Sequence, residues 1–344
     1  MIYCNAPWVG ATFLPDGKYA PCCAYSDRSY DSIQEMINDV GGKFLRGEIP
    51  AGCPDQCPRE TYNRLETDYK THKIKFLDFR NDNLCNMKCR SCGPGFSSAW
   101  ASEAKIHKIH AHQPISIAEL DLSECESVYF AGGEPLMNPQ HYEILEKLIE
   151  QGSQPTIMYN TNLSVLNYKH KHVKDYWPKF DKIKINVSID AVGQYAEVVR
   201  SGTDWGVIEE NLAWLRSQQN ISMSISPVIS AINIWFIDSF FEYFNWINEP
   251  ISFQPILANV DSEFGLMCIP YIFRDDIIKS LSSTKFSKHV TIQRAIEVLQ
   301  QQNFNQLNWY RFLAQQLILD NYRKENWFDL LPKKHQVYKE VFRV

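Results

Sequence analysis

Between residues 73 and 257, short runs of β-branched and aromatic residues alternate with longer stretches of helical spacing. Apolar runs at 74–79, 128–131, 156–159, 183–189, 223–229 and 251–256 predict six strands, and segments such as 141–151 and 205–218 predict helices between them. Strands alternating with helices imply parallel pairing through right-handed crossovers, so the predicted class is α/β. Six such units amount to a partial (β/α)6 barrel. Before it, Asp16-Gly17 between Phe13-Leu14 and Tyr19-Ala20 is a hairpin signal. An amphipathic stretch follows, carried by Ile33, Met36, Ile37, Val40, Phe44 and Leu45. After the barrel, 270–344 reads as helical, with Trp309, Leu313 and Leu317 forming an apolar stripe. The expected domains are 1–70, 71–260 and 261–344.

Composition narrows the function classes. A chain of 344 residues has room for two domains or for a barrel with an attached module. Lys+Arg 35 against Asp+Glu 40 leaves a net charge of -5, which predicts no nucleic-acid partner. A hydrophobic content of 44% supports a substantial core. The most apolar stretch, 232–253, contains Asp238, Glu242, Glu249 and Pro250 and is a poor membrane span. The N-terminus lacks a basic targeting region, and Asp16-Gly17-Lys18 interrupts any apolar run, so a cytoplasmic protein is expected. His107, His110 and His112, and the run Lys169-His170-Lys171-His172, read as solvated faces.

Ten cysteines are many for a cytosolic enzyme, and in a reducing compartment close spacing suggests metal binding before disulfides. Cys85, Cys89 and Cys92 place three thiols within eight residues. Three thiolates leave one coordination position open, whether they hold an iron–sulfur cube or a zinc completed by a distant ligand. About forty residues later a predicted strand runs into Gly132-Gly133-Glu134-Pro135, where two glycines let the backbone approach a ligand closely.

The pair of motifs, Cys85-x3-Cys89-x2-Cys92 followed by Gly132-Gly133-Glu134-Pro135, resembles the radical S-adenosylmethionine superfamily. The resemblance implies a TIM-like partial barrel, a [4Fe–4S] cluster on the three cysteines, and S-adenosylmethionine on the open iron. It further implies that the Gly-Gly-Glu-Pro backbone meets the methionine amino group. Ser91 stands where the family commonly has an aromatic residue, which leaves the usual packing against adenine in doubt. By position, the resemblance adds Asn162, Ser188, Asp190 and Arg200 as expected cofactor or substrate contacts, with Ser188 and Asp190 toward ribose and Arg200 toward a carboxylate.

A second group comprises Cys4, Cys22, Cys53 and Cys57, with Cys23 as the alternative to Cys22. The hairpin brings Cys4 and Cys22 together, and the amphipathic stretch returns Cys53 and Cys57 to them. This resembles the SPASM and twitch modules that carry auxiliary iron–sulfur clusters, here placed N-terminally, and four thiols suffice for one [4Fe–4S] cluster. A zinc knuckle uses the same ligands. Cys125 reads as a structural thiol, and Cys268, beyond the sixth strand, as a buried thiol or a hydrogen-atom donor. The segment Leu319-Asp320-Asn321-Tyr322-Arg323 looks like the C-terminal helix of N-terminal-twitch proteins.

The expectation is therefore a radical enzyme. A flavodoxin or ferredoxin supplies one electron, S-adenosylmethionine is cleaved to a 5′-deoxyadenosyl radical, and a substrate carbon loses hydrogen. Peptide oxidation, crosslinking or epimerisation fits, as does a sugar or small metabolite substrate. A non-catalytic zinc- or cluster-binding interaction protein is the alternative from another class.

Overall fold

The computed structural model describes residues 3–55, 57, 59–106, 116–246 and 252–336, so His107, His110, His112 and the start of the sixth predicted strand lie outside it. The fold is α/β, with a mostly parallel sheet. The chain divides into two compact units: 1–86, 94–186 and 214–222 form the first, and 87–93, 187–213 and 223–344 the second.

In the first unit, β1 (Gly10–Phe13) turns back through β2 (Tyr19–Ala20), with Thr12 opposite Ala20. The predicted hairpin is there, with Gly17 at φ +78 and Asp16 Oδ1 accepting from the Lys18 N–H at 3.1 Å. Its first strand also runs parallel to β3 (Phe76–Phe79), and β4 (Ser127–Phe130) and β5 (Thr156–Thr161) extend the parallel run. The register aligns Phe13, Phe79, Phe130 and Tyr159 in one row and Thr12, Asp78, Tyr129 and Met158 in the next. Successive residues point to opposite faces, so the sheet has an aromatic face and a mixed polar one. The helix Pro139–Glu150 contributes His141 to the aromatic face, 4.6 Å from the Phe130 ring.

The amphipathic stretch after the hairpin is a helix, Ile33–Met36, continued by a wider turn over Ile37–Gly41 and by Gly42–Leu45. Ser32 caps it by accepting the Glu35 N–H at 3.1 Å. Met36, Val40 and Phe44 are buried together with Trp8, Tyr30 and Tyr62, whereas Leu45, expected on the apolar face, is exposed.

His141 yields a prediction. It is fully buried; Nε2 meets the Tyr159 hydroxyl at 2.8 Å and Nδ1 has no partner among the described residues, and burial lowers its pKa from 6.5 to about 3. The folded imidazole stays neutral, and the unfolded one takes a proton near pH 6.5. Stability present above pH 6.5 therefore falls as pH drops toward 3, by about 1.4 kcal/mol per pH unit. Urea titrations at pH 6.5 and 5 are expected to show wild type losing roughly 2 kcal/mol that His141→Leu keeps. Equal losses would exclude His141 as the titrating group.

We number Ile183–Val187 β6, Ile221–Ile225 β7 and Ser252–Phe253 β8; in the second unit Ser224 of β7 lies parallel and opposite Ser252 of β8, and Ile225 opposite Phe253. The predicted strands 223–229 and 251–256 are each interrupted. Pro227 and Pro255 lack the N–H a ladder needs, and pairing resumes beyond them between Val228–Ile229 and Ile256–Leu257. The helices Tyr271–Ser283, Val290–Gln300 and Gln306–Arg323 lie within the segment read as helical, whose residues 337–344 lie outside the described residues. On the last, Trp309, Phe312, Leu313, Gln316 and Leu319 are buried and Leu317 is exposed. Eight residues advance a helix 80° past the stripe, whereas seven bring Gln316 back within about 20° of Trp309.

Candidate functional site

In the first unit, β3 leads through 80–84 to Cys85. Ser98, at the start of the helix Ser98–Glu103, accepts the Cys85 N–H at 3.0 Å and donates its hydroxyl to the Cys85 carbonyl at 3.1 Å. The turn after β4 is clasped to the same segment, the Gly133 N–H reaching Asp82 O at 3.3 Å and the Glu134 N–H reaching Leu84 O at 2.6 Å. Gly132 has φ +118, and a Cβ there would lie 2.9 Å from Asp82 O. At Gly133 a Cβ would lie 2.3 Å from Leu84 O. The turn is thus a close backbone-to-backbone approach that side chains would prevent.

Glu134 and Pro135 are buried. The Glu134 carboxylate points inward, accepting from Thr161 Oγ1 at 2.7 Å, Asn162 N at 2.7 Å and Leu136 N at 3.2 Å. Its charge ties the turn to the end of β5. Asn162 is buried beside the cysteine segment, its Nδ2 3.9 Å from Cys85 Sγ and 3.2 Å from Asn86 Oδ1. Ser164 donates to Oδ1 of both Asn162 and Asn86, at 2.6 and 3.2 Å.

The N-terminal thiols share one neighbourhood. Cys4 is pushed up to about 11, chiefly by burial, with the nearby Cys57 and Cys53 adding to the rise. Burial pushes Cys22 to about 12, and Cys4 and Cys57 again add to the rise. Cys53 is raised by burial and by Cys57. Cys23 is exposed and has a different environment: after burial, the main influences on its thiol are Asp78 and Arg80. Asp78 is buried and holds Arg80 through two contacts of 2.7 and 2.8 Å. Cys125 is buried, contacts Ser127 O at 3.3 Å and is pushed up to about 12.

In the second unit, Lys88–Cys89 pairs antiparallel with Arg200–Ser201, placing Arg200 opposite Cys89, and the Cys92 N–H closes a turn on Cys89 O at 3.0 Å. Burial raises both thiols and the Arg200 guanidinium offsets part of the rise. Arg200 Nε donates to Asp190 Oδ2 at 2.8 Å, and Asp190 Oδ1 accepts the Val228 N–H at 2.7 Å. Both Asp190 oxygens are thus engaged within the unit. Ser188 is half-buried. Cys268 is wholly buried, 3.4 Å from Glu263 O, and burial pushes its thiol to about 12. Among the described residues, no three Cys, His, Asp or Glu side chains converge tightly enough to hold a single metal ion.

Sequence reasoning did not find Ser98, which is placed by the fold next to Cys85. Nor did it find Arg90, which is fully buried although it stands between Cys89 and Cys92.

Residues 83–242, which contain all three loop cysteines, the Gly-Gly-Glu-Pro turn, Asn162, Ser188, Asp190 and Arg200, match the Radical SAM superfamily. The chain therefore contains a segment that matches the radical SAM domain model. No curated protein matches the chain. Among solved structures, it is similar to native anSMEcpe with bound AdoMet, at 18% identity and a TM-score of 0.41 over 57% of this chain and 56% of that one. It is also similar to TYW1 with a lysine–pyruvate adduct bound, at 15% identity and a TM-score of 0.35 over 58% of this chain and 69% of that one. The chain therefore spans little more than half the length of the anSMEcpe chain. Among the described residues, no helix is long and apolar enough to cross a membrane.

Proposed function

We propose that this chain is a radical SAM enzyme that binds a [4Fe–4S] cluster through Cys85, Cys89 and Cys92 and abstracts hydrogen from a carbon of a peptide substrate. The observation that carries this reading is the clasp between the Gly132-Gly133 turn and residues 82–84, one to three positions before the first of those thiols. The residues fit the group: the clasp leaves no room for a Cβ at Gly133, and Cys85, Cys89 and Cys92 are half-buried rather than sealed in the core. When bound, the cluster and S-adenosylmethionine supply reductive cleavage of the sulfonium to a 5′-deoxyadenosyl radical.

The chain's own residues bind, orient and shield. Glu134 acts through its backbone, because its carboxylate is committed to Thr161, Asn162 and Leu136. Asn162 donates toward Cys85 Sγ, a contact of the kind that tunes a ligand sulfur. Arg200 places a positive charge beside Cys89 and Cys92, favouring their thiolates. Ser188 is the remaining polar side chain for the ribose hydroxyls; Asp190 serves by holding Arg200.

Cys4, Cys22, Cys53 and Cys57 are the donors for an auxiliary cluster. Cys4 and Cys22 are buried and Cys53 and Cys57 half-buried, and thiols this close that raise one another's pKa are suited to a shared cation. The support for a peptide substrate is the likeness of this hairpin to SPASM and twitch modules. A flavodoxin- or ferredoxin-type donor completes the cycle.

The test is anaerobic incubation of the reconstituted chain with dithionite and S-adenosylmethionine. Formation of 5′-deoxyadenosine and methionine, in equal amounts and above a protein-free control, is expected. A chain that binds four irons yet forms neither would overturn the reading.

A further inference from the structure

Arg90 follows the second loop cysteine directly, and its side chain is 0% exposed. Nε donates to Val198 O at 3.0 Å and Nη1 to Gln316 Oε1 at 3.1 Å. Nη2 binds the Asp320 carboxylate and Glu325 Oε2, the latter at 2.7 Å. Both anions are themselves fixed: Asp320 accepts the Trp327 N–H at 3.1 Å, and Glu325 accepts the Ser201 hydroxyl. Lys324 ends the helix in the left-handed conformation, φ +59, at the bend between Asp320 and Glu325. Arg323 donates from Nη1 to the Lys88 carbonyl at 2.7 Å. Two residues flanking Cys89 are therefore gripped by one C-terminal turn, more than 220 positions away.

Burying a guanidinium is costly before its partners offset it, and apolar residues of similar volume often stabilise a fold as well or better. What apolar packing does not reproduce is direction. A planar guanidinium whose Nε meets Val198 O, whose Nη1 meets Gln316 and whose Nη2 meets two fixed carboxylates sets where the backbone at 90 sits, and hence where Cys89 and Cys92 sit.

We propose that Arg90, with Asp320 and Glu325, is a positioning device that holds the Cys89–Cys92 part of the loop in cluster-binding geometry. Residues 316–325 are then part of the outer shell of the metal centre. The inference rests on the reading that these thiols hold the cluster.

The test uses the full chain, reconstituted anaerobically, with iron release to bathophenanthroline disulfonate as one readout. The other is the electron paramagnetic resonance signal of the reduced cluster with and without S-adenosylmethionine. Asp320→Asn and Glu325→Gln keep shape and remove one charge each. Both are expected to release the S-adenosylmethionine-responsive iron about 10- to 100-fold faster, the usual cost of losing an outer-shell partner. Arg90→Lys, which keeps charge but loses the fork, is expected to rescue only part of the loss seen in Arg90→Met. The triple variant Arg90→Met/Asp320→Leu/Glu325→Leu separates stability from positioning. Wild-type melting with fast iron release and an altered spectrum supports the proposal. Wild-type release and spectrum in that triple variant, or in both single carboxylate variants, overturns it. A wild-type chain with no S-adenosylmethionine-responsive iron overturns the cluster reading and this proposal together.

Discussion

Replacing Cys85, Cys89 and Cys92 together by alanine is expected to abolish 5′-deoxyadenosine formation and to lower bound iron from about eight per chain to about four. The geometry makes the two halves of that result separable. Cys4 and Cys22 lie in the buried cluster built around Trp8, Tyr30, Met36 and Phe44, and Cys53 packs against it. None of the packing residues of that core belongs to 85–92, so the N-terminal thiols should keep their arrangement when the loop loses its own. The complementary change, Cys4→Ala/Cys22→Ala/Cys53→Ala/Cys57→Ala, is expected to leave about four irons that still respond to S-adenosylmethionine. Iron falling from about four to none in the loop variant would confine iron–sulfur chemistry to Cys85, Cys89 and Cys92 and leave zinc for the hairpin. Zinc without iron in both proteins would sink the radical reading altogether.

Much of this is legible in the sequence because it is local. Alternating apolar runs give β3, β4, β5 and β6 to within two residues at each end, since burial on the aromatic face demands Phe79, Phe130 and Tyr159 in register. The hairpin is announced by Asp16-Gly17 because only a residue free of Cβ adopts φ +78 without strain. The errors are also local and have physical causes. Pro227 and Pro255 stand in plain sight, but hydrophobicity alone does not register a missing N–H. Leu317 extends an apolar spacing on paper, yet the helical period assigns that place on the stripe to Gln316.

What the sequence hides is pairing at a distance. Nothing about Arg90 separates it from any arginine in a loop, yet its partners are 226, 230 and 235 residues away. The inward turn of Glu134 is equally silent, because Thr161 and Asn162 reach it only after β4 and β5 are side by side. The same applies to Asp190: nothing in its place at the end of a strand announces that the fold will bring Arg200 and the Val228 N–H to its carboxylate. Motif spacing therefore points to where chemistry is proposed, and the side chains packed around it emerge only with the fold.

Gly133→Ala is expected to reduce S-adenosylmethionine cleavage by at least about 100-fold while costing only roughly 1–3 kcal/mol of stability. The three atoms nearest the new methyl are all backbone: Leu84 O at 2.3 Å, Asn83 C at 2.6 Å and Leu84 C at 2.7 Å. No rotamer change relieves such an overlap, so the turn and the 83–84 segment must part, and Cys85 moves with the latter. The Glu134 N–H to Leu84 O bond, now 2.6 Å, is the first to break. Displacements of about 1 Å at a reacting centre are enough for an effect of that size. Gly206→Ala is the control, because its Cβ meets only the side-chain oxygen of Asp204 at 3.4 Å, at the start of the helix Trp205–Arg216. That change is expected to leave cleavage unaltered and stability equal or slightly raised. Equilibrium binding of S-adenosylmethionine to the reconstituted proteins assigns the cause. A weakened affinity in Gly133→Ala, with iron content near wild type, places the damage in the ligand-facing turn. Lost iron places it in the displaced Cys85 segment. Full activity in Gly133→Ala would show that the turn after β4 has no part in binding, and the functional reading built on its approach to Leu84 would fall.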